Sequence, residues 1–298
     1  VMLADYDWPG WKLPKFKQRV ILNIIRRTDT MERIKQALDK ARQERQIREG
    51  TSPSPVPTPA SGTRPDSRGI QYGQTQTITV DHAVLKENRI VTGLEPGPFT
   101  ESFNLLRTQV LQRFRENNWN VLAVTSPGGG EGKTLTAINL AISMAREVDY
   151  TVLLVDANLR HPWMLEHFGL GKRKGLSDYL TSDTPIEELL VKTSRVEHLV
   201  LLPGGQPLEH SAEMLSSPKM EELVKEMKSR YHSRIIIFDL PPVLSSADAL
   251  AFSPYVDAAL LVVEEGVTQK TELERAVELL STTNIVGTVL NKAEPKKS

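Results

Sequence analysis

The stretch Ser126-Pro127-Gly128-Gly129-Gly130-Glu131-Gly132-Lys133-Thr134 constrains this chain more than any other. It stands between an apolar run, Val121 to Thr125, and a helical pattern, Leu135 to Ala145. Glycines in series let backbone amides turn inward onto phosphate oxygens, in conformations that a β-carbon would block. The amino end of the helix that follows adds its partial positive charge. At this spacing Lys133 reaches β- and γ-phosphates and the Thr134 hydroxyl can join the shell of Mg2+. Gly128, Gly129, Gly130, Glu131, Gly132, Lys133, Thr134 and Leu135 are therefore the candidate ATP-binding set. The strict phosphate-loop pattern is broken at one place, because Pro127 stands where its first glycine normally falls.

The rest of the body alternates apolar strands with amphipathic helices, the rhythm of a parallel sheet covered on both faces. Strands are predicted at Val121 to Thr125, Thr151 to Asp156, His198 to Leu202, Arg234 to Asp239, Ala258 to Val263 and Ile285 to Leu290. A helix over Thr100 to Asn117 presents Phe103, Leu106, Val110 and Phe114 along one stripe, to lie on the sheet or face a neighbouring subunit. Ser217 with Pro218, and Thr184 with Pro185, each read as a helix start. The expected fold class is α/β, a doubly wound, mostly parallel sheet. Two predicted strands end in aspartate, Asp156 and Asp239. In an open parallel sheet the carboxyl ends of strands converge on the ligand crevice. Thr134, Asp156 and Asp239 are thus the candidate metal ligands.

Composition narrows the choice. Lys plus Arg and Asp plus Glu both number 37, so no overall basic excess argues for nucleic acid, and none is expected as a partner. The absence of cysteine excludes disulfide scaffolds, thiolate metal sites and thiol catalysis in this chain, and reads as cytoplasmic. No apolar run approaches 18 residues, so no transmembrane segment is expected and membrane contact is at most peripheral. The neutral total hides a basic head: residues 1–49 hold twelve basic and seven acidic side chains. Met31 to Glu49 has the spacing of a basic amphipathic helix, and Met31 is a candidate natural start. Residues 50–74, rich in Pro, Ser and Gly, read as a linker. Residues 75–298 form the expected folded domain. The histidines lack metal-ligand spacing, Gly204-Gly205 reads as a turn at the crevice rim, Lys172-Arg173-Lys174 as a solvated loop, and Trp163 and Phe168 as packing residues.

The segments TVLLVDANLRHP (Thr151 to Pro162) and RIIIFDLPP (Arg234 to Pro242) resemble the second and third nucleotide motifs of the bacterial tyrosine kinases of capsule and exopolysaccharide systems. The resemblance runs from about Thr92 to Lys292. It implies the phosphate-loop ATPase fold shared with septum-site and partition ATPases. It also implies that Lys133, Asp156, Arg160 and Asp239 are catalytic, and that Asn291 contacts adenine. ATP and Mg2+ are the implied cofactors. A membrane polysaccharide co-polymerase of the Wzz-like activator type is the implied partner, with recruitment to the inner face of the plasma membrane and a homo-oligomer possible.

The chain departs from that family in three respects. Asn158 replaces the second acid of Asp-x-Asp, which removes a charge but keeps hydrogen-bonding capacity. The Glu-x-x-Arg-x-x-Arg oligomerisation pattern reads Glu101, Asn104, Arg107, without its middle arginine. The sequence ends in AEPKKS rather than a tyrosine cluster; Tyr6 or Tyr72 in the head could substitute as acceptor, and Tyr255 is expected inside the sheet region. Three functions follow: a tyrosine kinase or kinase-like ATPase of polysaccharide assembly, a nucleotide-switched regulator of the co-polymerase that phosphorylates nothing, and a positioning ATPase of the septum-site or partition type.

Overall fold

A computed structural model describes residues 76–90, 97–230 and 234–293. The basic head, the candidate start and the linker lie outside the described residues, as do Tyr6 and Tyr72.

The chain first forms β1 (Gln76–Ile78), α1 (His82–Glu87) and α2 (Pro98–Asn117). Then come β2 (Val121–Thr125), α3 (Lys133–Ala145) and β3 (Thr151–Asp156). A region of short elements follows: α4 (Met164–His167), α5 (Leu176–Thr181), α6 (Ile186–Leu189), β4 (Val191–Thr193) and β5 (Leu199–Leu202). The chain continues with α7 (Ser211–Leu215), α8 (Pro218–Arg230), β6 (Arg234–Asp239) and α9 (Asp248–Phe252). It closes with β7 (Ala258–Glu264), α10 (Lys270–Leu279) and β8 (Asn284–Asn291).

The eight strands make one sheet in the order β1-β4-β5-β3-β6-β2-β7-β8, parallel throughout except between β4 and β5. The expected doubly wound α/β class is found, with the six expected strands in place. β2 and β6 are buried along their whole length, as strands covered on both faces must be. The stripe expected on α2 is buried, with Leu111 added to it. Beside it, α3 is buried at every position from Thr136 to Ala145, which explains why a helix with so little polar surface follows the glycine loop.

Several expectations need correction. β1, α1 and β4 were not anticipated: β1 and β4 are three-residue strands whose place is decided by pairing, Gln76 opposite Val191 and Ile78 opposite Thr193, rather than by any local apolar run. Thr184-Pro185 opens only the four-residue α6. Tyr255 lies in a 3-10 turn, Ser253–Tyr255, outside the sheet, with its hydroxyl donating to the Ser216 carbonyl at 3.3 Å. Ser217, by contrast, caps α8 as expected, its hydroxyl accepting from the Met220 amide at 3.3 Å.

Candidate functional site

The site forms where β2, β3 and β6 end side by side. Register pairs Asp156 with Asp239 and Val124 with Asp239, so the two aspartates and the start of the glycine loop meet at one sheet edge. Neighbouring strands lie about 4.8 Å apart, which brings the two carboxylates onto one site. The loop's first residues are pinned from the same side. The amide of Leu240 donates to Val124, that of Val243 to Ser126, and that of Leu244 to Pro127, at 2.9, 2.9 and 3.2 Å. Pro127 therefore serves as an acceptor, the one backbone function a proline retains.

The loop itself is held by the chain's own groups. Glu131, 4% exposed, accepts the Gly128 amide on Oε2 at 2.7 Å and the Thr268 hydroxyl on Oε1. Thr268 in turn accepts from the Glu264 amide at 2.8 Å, which ties the loop to the β7–α10 turn. Asn291, at the end of β8, donates from Nδ2 to the Glu131 carbonyl at 2.8 Å. Gly132 opens α3 with φ of 90°, and a β-carbon there would stand 2.1 Å from that Asn291 nitrogen. Only glycine fits both the dihedral and the neighbour.

Beyond the loop, Lys133 Nζ lies 3.3 Å from Thr134 Oγ1, and Thr134 donates to Asp239 Oδ2 at 2.6 Å. Asp239 Oδ1 is buried without a hydrogen-bond partner. Asp156 accepts the Asn158 amide on Oδ1 at 3.2 Å and the Met164 amide on Oδ2 at 3.0 Å. Burial first, and the charge of Asp239 second, push the Asp156 carboxyl up from 3.8 to about 7 despite those two amides and Lys133. Burial likewise raises Asp239, against the opposing pull of Lys133, the Thr134 hydroxyl and His167. A buried oxygen without a partner, next to a hydroxyl and a second carboxylate, is a hard-oxygen donor set suited to Mg2+.

The remaining sequence candidates are placed as follows. Arg160 follows β3 and pairs through Nε with Asp248 Oδ1 at 3.3 Å; Asp248 is wholly buried and also accepts the Ser211 hydroxyl. Gly204 does stand at the crevice rim, and a β-carbon on it would come 2.5 Å from Pro162 Cβ and 3.2 Å from Asp156 Cγ. Phe168 is buried as expected, but Trp163 is 57% exposed and is not a packing residue. Arg107 bonds within the chain, to the Ser143 carbonyl at 3.1 Å and to Glu147 at 3.0 Å.

Sequence reasoning missed Thr268, Ser211 and Asp248, which sit far along the chain and carry no local motif. It also passed over His167, whose imidazole is pushed down by burial and lies within electrostatic reach of Asp239 and Lys133.

Comparison with known proteins places this geometry. Residues 119–292 match the model of the AAA domain family. The chain is 33% identical over 208 residues to the tyrosine-protein kinase YwqD of Bacillus subtilis, spanning 69% of this chain and 86% of that protein. Among solved structures it is similar to the chimerical protein CapA2B2, with a TM-score of 0.65 and 26% identity over 76% of this chain and 97% of that one. It is also similar to the septum site-determining protein MinD of Pyrococcus horikoshii complexed with Mg-ADP, with a TM-score of 0.50 and 25% identity over 60% of this chain and 74% of that one.

Proposed function

This chain belongs to the bacterial tyrosine kinases built on the phosphate-loop ATPase fold, and from that premise we propose that it transfers the γ-phosphoryl group of ATP to a protein tyrosine in a polysaccharide assembly system. The observation that carries the reading is the in-register pair Asp156 and Asp239 beside Lys133 and Thr134, with one buried carboxylate oxygen left unpartnered.

In this reading the Gly128 amide stays on Glu131, the amides from Gly129 to Leu135 and the α3 amino end bind the phosphates, and the Lys133 ammonium lies along the β- and γ-phosphates. The Oδ1 of Asn291 is free to accept from the adenine amino group while Nδ2 stays on the loop. Thr134 and Asp239, with Asp156, would hold Mg2+, which when bound neutralises charge between the β- and γ-phosphates. The acceptor tyrosyl oxygen attacks the γ-phosphorus. A new O–P bond forms as the bond to the β–γ bridging oxygen breaks, and ADP leaves with that electron pair. Asp156, at the tip of β3 beside Asp239, takes the phenolic proton as the new bond forms. Arg160, aimed by buried Asp248, steadies phosphate charge or a subunit contact.

The partner in this reading is a membrane polysaccharide co-polymerase, with the chain working at the inner face of the plasma membrane. Among the described residues no helix is long and apolar enough to cross a membrane. The test is incubation of the purified chain with labelled ATP and Mg2+, alone and with the cytoplasmic end of a candidate co-polymerase, followed by phosphotyrosine mapping. Label on tyrosine that disappears in Lys133→Met is expected. ATP hydrolysis that leaves every tyrosine unlabelled refutes phosphotransfer and makes the chain a nucleotide switch.

A further inference from the structure

Asp248, the first residue of α9, is a wholly buried carboxylate that belongs neither to the phosphate loop nor to the strand-tip pair. Burying such a group is costly unless donors surround it. Among the described residues its side chain has two. Ser211, the first residue of α7 and itself fully buried, donates its hydroxyl to Oδ2. Arg160 donates from Nε to Oδ1 at 3.3 Å, and the arginine side chain is 42% exposed. A long contact to a half-exposed guanidinium offsets little of the burial, so stability alone does not account for this arrangement.

Connectivity gives it another use. Arg160 lies four positions beyond Asp156, on the segment leaving β3, and Asp248 nine positions beyond Asp239, on the segment leaving β6. Ser211 belongs to the segment leaving β5, which runs parallel to β3 on its other side. Asp248 therefore joins the three segments that emerge at the edge of the sheet where the two aspartates stand. The backbone under Arg160 is fixed as well. The Ala157 amide donates to the Asp239 carbonyl at 3.0 Å and the Leu208 amide to the Leu159 carbonyl at 2.8 Å. Ala157 and Leu159 are fully buried while Arg160 is exposed, so the arginine projects from an anchored stretch. Holding it at Nε leaves Nη1 and Nη2, which make no hydrogen bond among the described residues, to meet an anion.

We propose that Asp248 is a positioning residue of the transfer step: braced by Ser211, it orients Arg160 so that the free guanidinium nitrogens meet the negative charge that develops on the transferred phosphoryl group. The inference rests on the phosphotransfer reading above and deepens it, because it assigns Arg160 to the chemical step rather than to ATP binding and names what aims it. A donor aimed before the reaction stabilises developing charge without reorganising. An arginine released from Asp248 samples many rotamers, and misplacement by about 1 Å can cost about a hundredfold in rate.

The experiment is a double-mutant cycle on the full chain with Mg-ATP, reading ADP release and tyrosine label as kcat, KM for ATP, and Mg-ADP affinity by titration. Asp248→Asn keeps the shape of the side chain and removes its charge. It should lower kcat by about ten- to a hundredfold and leave KM and Mg-ADP affinity within about twofold. Arg160→Gln should lower kcat at least as far, and adding Asp248→Asn to it should cost nothing more, because a residue that acts only through Arg160 has no effect once the guanidinium is gone. Ser211→Ala should repeat the pattern at several-fold size, and it carries the cycle if melts show that Asp248→Asn does not fold. Losses that multiply in the double variant mark a structural role and overturn the proposal. So does an Asp248→Asn or Arg160→Gln protein that turns over like the parent, or one that changes KM alone. A parent that releases ADP but labels no tyrosine refutes phosphotransfer separately, and the same cycle on ADP release then decides the positioning; a parent that releases no ADP overturns both.

Discussion

Replacing Asp239 by Asn should make the nucleotide-free protein more stable while removing its use of Mg-ATP. The carboxyl of Asp156 moves from 3.8 to about 7, and at about 1.4 kcal/mol per pH unit that is roughly 4 kcal/mol set against its charged form. Burial is the larger cause and the Asp239 charge the second, so removing that charge returns about 1–2 kcal/mol. The introduced amide also fits locally. The Asn carbonyl can keep accepting the Thr134 hydroxyl, and its NH2 replaces the oxygen that has no partner. The sign follows from proton counts. Between pH 3.8 and about 7 the folded protein holds a proton on Asp156 that the unfolded chain has released, so stability falls as pH rises through this window. The full penalty is present only above it. Thermal melts in a chelator should therefore show Asp239→Asn higher than the parent by about 2–8 °C at pH 8, and by less at pH 5, where Asp156 keeps its proton and only the burial of Asp239 itself is relieved. Mg-ATP should raise the melting temperature of the parent and not of the variant. A variant that melts lower at pH 8, or that gains as much at pH 5, refutes the idea that the two acids repel across the strand tips.

Two further substitutions probe the loop. Gly132→Ala places a β-carbon 2.1 Å from Asn291 Nδ2 at a φ of 90°, so it should cost about 1–3 kcal/mol in stability and weaken ATP binding at least tenfold, read by melts and by nucleotide titration. Thr268→Val removes the hydroxyl that donates to Glu131 Oε1 and should cost about 1–3 kcal/mol, with a several-fold loss of ATP affinity although Thr268 lies 134 positions along the chain from Thr134.

The glycine loop, the two strand-end aspartates and the six main strands were legible because each is written locally, as a run of apolar residues closing on a glycine or an acid. Register then did what the sequence could only imply, setting Asp156 directly opposite Asp239. What stayed hidden is held by long-range neighbours. β1 and β4 exist through pairing, and Thr268 matters only because the β7–α10 turn folds over Glu131. Trp163 looked like core because tryptophan usually is, and its exposure follows from its position at the very start of α4, whose next two residues fill the interior instead. Gly204 was readable as a turn, but its contact with Asp156 needed the third dimension.

The two halves of the site are prepared in opposite ways. On the phosphate side the chain satisfies its own loop: Glu131 takes the Gly128 amide, Asn291 takes the Glu131 carbonyl, and the β6 exit holds Ser126 and Pro127. That half needs little rearrangement to receive an anion, so the ordering cost of binding is met during folding. On the strand-tip side two buried carboxylates face each other with too few donors, and one oxygen has none. Such an arrangement lowers the stability of the empty protein, and a divalent cation arriving with the nucleotide returns that loss as binding free energy. An Asp at position 158 would add a third acid to the empty site, so the Asn found there lowers the cost of the metal-free state and with it the drive to capture the cation. Asn158→Asp should then lower the melting temperature in chelator and widen the gain on adding Mg-ATP, and a variant that changes neither would show that this side chain lies outside the electrostatics of the pair.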